Sequence, residues 1–158
     1  MRRPRIYLET TTFNHYFDKD REAHIATVKL FEEMRAGKYE GYTSIYVTNE
    51  LMKAEEPKRS NMLALIDKYN IVVLPAADEA VELANKYVNE GVIPVKYRYD
   101  SLHIAVASTN DLEHVFSLNY EHINKLKTKT MTSNINIREG YKPITIASPM
   151  EVVEYEEK

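Results

Sequence analysis

Three carboxylates stand at the ends of apolar elements. Glu9 follows the run Ile6-Tyr7-Leu8 and opens onto three threonines, Glu50 lies within the stretch 44–54, and Asp100 lies within 99–108. Apolar elements that repeatedly end in acids describe a sheet whose carboxyl edge collects negative charge. Such charge is costly away from water unless a cation neutralises it. The chain has no cysteine, and its five histidines show neither His-x-His nor His-Glu-x-x-His spacing, which argues against thiolate and histidine-rich zinc centres. Oxygen ligands remain, and these suit Mg2+ or Mn2+.

Short apolar runs bounded by turns (5–9, 41–44, 70–74, 114–119 and 144–147) alternate with helix-periodic segments, which predicts an α/β fold with a mainly parallel sheet. Residues 22–36 carry Ile25, Val28, Phe31 and Met34 near helical spacing and stop at Gly37. Residues 77–90 repeat the design with Ala80, Val81, Ala84, Tyr87 and Val88 ahead of Gly91. In 44–54 a helical stripe of Tyr46, Val47, Glu50, Leu51 and Ala54 sets Glu50 among core-facing residues. Pro57 breaks the chain, and 59–69 reads as a further short helix. Residues 101–108 are apolar on nearly every side, as expected of an interior helix. Residues 125–142 hold Lys125, Lys127, Lys129 and Arg138 without clear periodicity and read as a loop with one irregular turn.

At 158 residues, with no repeat, low-complexity tract or linker, the sequence predicts one domain spanning 1–158 with an acidic tail over about 151–158. The net charge is −3, and the tail alone, with four glutamates and one lysine, accounts for it. The remainder is balanced, which is no footprint for bulk nucleic-acid binding, so a polyanion would be held by local patches. The basic start at residues 2–5 is followed by only three apolar residues, so the expectation is no export signal and no membrane span. The absence of cysteine is compatible with a reducing cytoplasm.

Each acid also has an ordinary reading. Asp100 before a helix is a good N-cap, Glu50 could pair with a buried arginine, and Glu9 could cap the helix after it. The joint reading is stronger, because ligands of open α/β sheets sit beyond the carboxyl ends of the strands. Glu9 follows one strand, Asn119 ends another, and Glu50 and Asp100 lie on helices that could line the same crevice. His103, three residues after Asp100, is read as a hydrogen-bonded core histidine in preference to a general acid or base.

The chain resembles the PIN-domain nucleases, in particular the VapC-like toxins of type II toxin-antitoxin pairs. The resemblance spans nearly the whole chain. It rests on Ile6-Tyr-Leu-Glu9-Thr10-Thr11, Ser44-Ile-Tyr-Val-Thr-Asn-Glu50-Leu51, Asp100-Ser-Leu-His103-Ile-Ala-Val-Ala107, Ser117-Leu-Asn119-Tyr-Glu-His122-Ile123 and Ile146-Ala-Ser-Pro149-Met-Glu151. Within that family the first acid is commonly aspartate, and the fourth polar position, here Asn119, is often aspartate as well.

The resemblance implies a three-layer α/β/α PIN-like fold and a metal-dependent endoribonuclease. Its catalytic residues would be Glu9, Glu50, Asp100 and Asn119, with Glu9, Asp100 and Glu50 holding Mg2+ or Mn2+. Thr10, Thr11, Lys53, Lys58, Arg59, His122 and Lys125 are candidates for substrate contact, Lys127 and Lys129 lying close by. Among 12 tyrosines, Tyr16, Tyr97, Tyr99 and Tyr120 are placed to stack on single-stranded RNA, although tyrosine at half-buried positions more often packs. An antitoxin partner and a homodimer follow from the same resemblance. Two rivals stay open: a PIN-like module that binds RNA or protein without catalysis, and a phosphohydrolase of small molecules. The lack of a second acid in Glu9-Thr-Thr-Thr12 weighs against the latter.

Overall fold

The computed structural model describes residues 2–155; Met1 and the tail residues 156–158 lie outside the described residues. Five strands, β1 (Arg5–Leu8), β2 (Glu40–Ser44), β3 (Val72–Leu74), β4 (His114–Phe116) and β5 (Thr145–Ala147), form one sheet in the order β3-β2-β1-β4-β5. Every neighbouring pair is parallel. Ile6, Tyr7 and Leu8 are all fully buried, which explains why β1 shows no alternation of apolar and polar residues: a central parallel strand is covered on both faces.

The strand order decides where the helices go. From β1 the chain steps outward to β2 and β3 through α1 (Thr10–Phe17), α2 (His24–Arg35), α3 (Ile45–Leu51) and α4 (Lys58–Lys68). It then returns past β2 and β1 through α5 (Asp78–Asn89) and α6 (Arg98–Thr109) to reach β4, and α7 (Leu126–Arg138) leads on to β5. Right-handed crossovers in opposite directions place the two groups on opposite faces, giving the α/β/α layering. The short α8 (Pro149–Val152) packs on α2, where Lys38 Nζ meets Glu154 at 2.9 Å.

Gly37 and Gly91 end α2 and α5 with φ of +90° and +78°, the left-handed conformation expected of them. Gly41 serves close approach instead: a Cβ there would lie 2.7 Å from Met34 Sδ, so the bare position lets the Met34 side chain of α2 settle directly on β2.

Three expectations need correction. Residues 126–138 form a helix of 13 residues, not a loop. Its buried face is Thr128, Thr132, Ile135 and Asn136, so the stripe that packs is mostly polar and gives no hydrophobic period. Those polar groups are satisfied locally: Thr132 Oγ1 donates to Thr128 O at 2.6 Å, and Asn136 Nδ2 donates to Ser108 Oγ at 2.8 Å while its Oδ1 accepts from Tyr87. In α2, Ile25 is 75% exposed, and the face that packs is Ala26, Thr27, Leu30, Phe31 and Met34. Finally, β4 stops at Phe116, so Asn119 lies in the turn beyond the strand.

Candidate metal centre and catalytic crevice

The strand order reverses between β1 and β4, which are neighbours although β2 and β3 intervene in the chain. At such a switch point two crossovers leave in opposite directions and open a crevice beyond the carboxyl ends. Glu9 leaves β1 there, and Ser117 leaves β4.

Glu9 is at once helix cap and cluster member. It is the N-cap of α1, and its Oε1 accepts from Thr11 N at 3.3 Å, Thr11 Oγ1 at 2.5 Å and Ser117 Oγ at 2.6 Å. Thr11 Oγ1 in turn accepts from Leu118 N at 2.8 Å, which ties the start of α1 to the turn after β4. With Oε1 saturated by three donors, Oε2 is the atom left for a cation. Ser117 was not singled out from the sequence; a hydroxyl at the exit of a central strand, two residues before Asn119, was the available signal.

Glu50 reaches the same place from the last turn of α3. Its Oε1 accepts from His103 Nε2 at 2.8 Å, and ligand atoms of Glu9, Glu50 and His103 all lie within 4.8 Å of one another. Burial works to raise the Glu50 carboxyl pKa, but the bond and charge of His103, with Thr10 and Lys53 nearby, hold it below the ordinary value. The arginine pairing considered for Glu50 is thus filled by a histidine.

His103 is fully buried on α6, and both ring nitrogens are engaged. Nδ1 lies 2.7 Å from Tyr7 Oη, which lies 2.7 Å from Ser44 Oγ, the side chain that caps α3 through Tyr46 N. A carboxylate only accepts, so Nε2 carries its hydrogen toward Glu50; in the neutral ring Nδ1 then accepts from Tyr7 and every member of the chain is satisfied. Burial disfavours the charged ring, yet Glu50, then Glu9 and Asp100, raise the His103 pKa above its ordinary value. With both nitrogens occupied, His103 orients Glu50 and is not itself free to ligate.

Asp100 sits in the first turn of α6, whose N-cap is Tyr97, so it is not the cap its position suggested. Its carboxylate makes no hydrogen bond among the described residues, and it stands outside the 4.8 Å group. Burial, followed by competing effects in which His103 lowers and Glu9 and Glu50 raise it, lifts its pKa above the ordinary value. A partly buried carboxylate that lines one cavity with Glu50 and makes no hydrogen bond among the described residues is suited to a cation.

The donor set fits a hard divalent ion. Glu9, Glu50 and Asp100 each offer an uncommitted oxygen, and Thr10 Oγ1, near enough to Glu50 to lower its pKa, is buried without a well-formed hydrogen bond. The melting temperature of the protein is therefore expected to rise with millimolar Mn2+, by the equivalent of about 2.7 kcal/mol at a hundredfold excess over Kd. A Mn2+ titration followed by thermal melting checks this; a flat curve would deny a preformed cage. Glu9→Asp withdraws the carboxylate by about 1.5 Å from Ser117, against which Glu9 is braced. That variant is expected to lose at least about tenfold in Mn2+ affinity, read by the same titration; unchanged affinity would show that the longer reach is dispensable.

Other sequence candidates divide by location. Asn119 Oδ1 accepts from His122 N at 3.0 Å, so its oxygen is occupied in the turn. One cavity of about 520 Å³ is lined by Glu50, Asp100 and Lys53; another of about 640 Å³ is lined by Asp100, Thr11, Asn119, His122 and Lys58. Lys58 is paired with Asp18 at 2.9 Å. Arg59 pairs with Glu56, and neither it nor Lys125 lines these cavities. No helix among the described residues is long and apolar enough to cross a membrane.

The five-stranded doubly wound sheet, three-layered α/β/α, is a PIN-like fold similar to that of solved VapC toxins. Comparison with family models and with curated proteins finds no match. Among solved structures, VapC20 of Mycobacterium tuberculosis, described as a sarcin-ricin loop cleaving toxin, is similar with a TM-score of 0.56 at 13% identity, covering 77% of this chain and 97% of that one. VapBC2 from Rickettsia felis, solved bound to a DNA fragment from its promoter, is similar with a TM-score of 0.52 at 10% identity, covering 91% and 98%.

Proposed function

We propose that the protein is a Mg2+- or Mn2+-dependent endoribonuclease, the toxin of a toxin-antitoxin pair. The observation that carries the reading is the meeting of Glu9 and Glu50 at the switch-point crevice of this fold, with Asp100 lining the same cavity as Glu50. Glu9, Glu50 and Asp100 would hold the ion. A bound divalent cation supplies a more acidic water for in-line attack and offsets charge gathering on the phosphoryl oxygens.

The remaining work falls to the chain itself. Thr11 and Ser117 fix the Glu9 carboxylate, and His103 fixes that of Glu50, so the acids do not reorganise as substrate arrives. Lys53 lines the cavity beside Glu50 and attracts the phosphate backbone, while Lys58 and Arg21 on the other side share Asp18 and leave one net positive charge there. An antitoxin partner belongs to the same reading and is supported by the likeness to VapBC2, while a homodimer and a cytoplasmic location follow only from the family resemblance of the sequence. The test is incubation of end-labelled RNAs with the purified protein and Mn2+, against EDTA. Cuts that require the metal are expected; intact RNA despite metal binding would favour a recognition module instead.

A further inference from the structure

The end of the sheet opposite the acids carries a second charged cavity, which the nuclease chemistry does not use. It has a volume of about 300 Å³ and opens over the amino ends of β2 and β3, beside the last turns of α2 and α4. Arg3, Arg35 and Lys68 line it against a single acid, Glu40, with Tyr42 and Tyr69 among its walls. Two of these cations share one ring: the Arg35 guanidinium and Lys68 Nζ lie 5.0 and 5.2 Å from the centroid of Tyr69. Tyr69 is buried, and its hydroxyl is held by Tyr16 at 2.7 Å and by Glu32 at 2.6 Å, so the ring beneath both cations is fixed.

Such cations have two ordinary uses. Basic groups in a last helical turn often bond the free carbonyls there, but in this protein backbone amides take that place. Gly37 N donates to Met34 O and Lys38 N to Glu33 O, both at 3.0 Å, and Ile71 N donates to Ile66 O at 2.9 Å. The other use is ion pairing. Arg138 forks onto Glu90 through both terminal nitrogens, whereas Arg3 reaches Glu40 only at 3.5 Å and Arg35 reaches Glu32 only at 3.7 Å, beyond a hydrogen bond. Lys68 meets no carboxylate among the described residues and donates to Tyr16 Oη at 3.3 Å. Most donors of these three side chains are unspent.

We infer that this cavity is a binding site for a phosphate group, separate from the catalytic crevice. Two guanidinium forks and one ammonium, brought from the segment before β1, from α2 and from α4, match the several acceptor oxygens of a phosphate. A dianion seated among them also offsets the repulsion between Arg35 and Lys68, which share Tyr69 without a close counter-charge between them. The volume lies at the low end for small-ligand cavities, which suits a compact anion. Because the two sites occupy opposite ends of one parallel sheet, the inference is independent of the nuclease reading.

The test is a titration of the full chain with inorganic phosphate in EDTA, at ionic strength held constant with NaCl, followed by calorimetry and thermal melting. EDTA removes any metal through which the acids could hold phosphate, and the bare acids repel it. The wild type is expected to bind phosphate saturably and to melt higher in its presence. Arg35→Gln and Lys68→Gln are each expected to weaken binding at least about tenfold, with the Mn2+ melting shift unchanged, which shows that the variants are folded. Arg35→Lys keeps a charge over Tyr69 without the fork, and is expected to bind with intermediate affinity. Asp100→Asn is expected to bind phosphate as the wild type does. No saturable binding by the wild type overturns the site, as does binding that survives Arg35→Gln and Lys68→Gln together. Phosphate binding that changes in Asp100→Asn would place the anion in the crevice and overturn it as well.

Discussion

Asp100→Asn is expected to abolish metal-dependent cleavage, by at least about a thousandfold or ~4 kcal/mol of barrier, and at the same time to raise the melting temperature of the metal-free protein. The two effects have one cause. Asp100 is a partly buried carboxylate with no hydrogen-bond partner, set against Glu9 and Glu50, and its pKa is raised accordingly. Its ionised form is therefore disfavoured in the folded state unless a cation is bound. An acid whose folded pKa is raised contributes stability below its ordinary pKa, and that contribution is lost as pH rises through the folded value. The asparagine has no such transition, so the variant should gain on the wild type above that pH and match it more closely below. Melting curves across pH without metal, with RNA cleavage in Mn2+, check both halves. A variant that unfolds would mean that Asp100 stabilises the first turn of α6; one that still cuts RNA would remove it from the metal centre.

How much of this was legible depended on whether the signal was apolar. The strands and most helices announced themselves because their buried residues are aliphatic or aromatic, and the acids at β1 and α3 stood out against those runs. α7 was invisible because it packs with threonines and an asparagine whose side chains bond to backbone and to other buried polar groups. The site divided in the same manner. Glu9, Glu50 and Asp100 could be picked from the sequence as acids in apolar company, whereas Ser117, Ser44 and Tyr7 could not. Their roles arise from bonds between positions 37 to 108 residues apart, and nothing local marks a serine that grips a carboxylate across a sheet. His103 was correctly read as a bonded core histidine, yet its partners, Tyr7 on β1 and Glu50 on α3, were not foreseeable. The strand order is what brings those elements together.

That bonded chain makes His103 the residue whose loss should cost the fold most among those around the site. His103→Ala would empty a fully buried position, leave Tyr7 Oη with Ser44 alone and strip Glu50 of its donor while Glu9 remains nearby. The cavity and the unpaired groups together are expected to cost about 3 kcal/mol, a fall of roughly 6–12 °C in melting temperature for a chain of this size. Tyr7→Phe keeps the ring volume and removes one hydroxyl from the middle of the chain, for about 1 kcal/mol. Because Tyr7 acts on Glu50 only through the imidazole, its hydroxyl should matter less once the imidazole is gone. In a double-mutant cycle the two changes are expected to couple by at least about 0.5 kcal/mol. The same variants titrated with Mn2+ should show weakened binding for His103→Ala, since a Glu50 carboxylate without its donor is no longer aimed at the crevice. Strict additivity in the cycle, together with unchanged Mn2+ affinity, would reduce His103 to a packing residue and leave Glu50 to find its orientation from α3 alone.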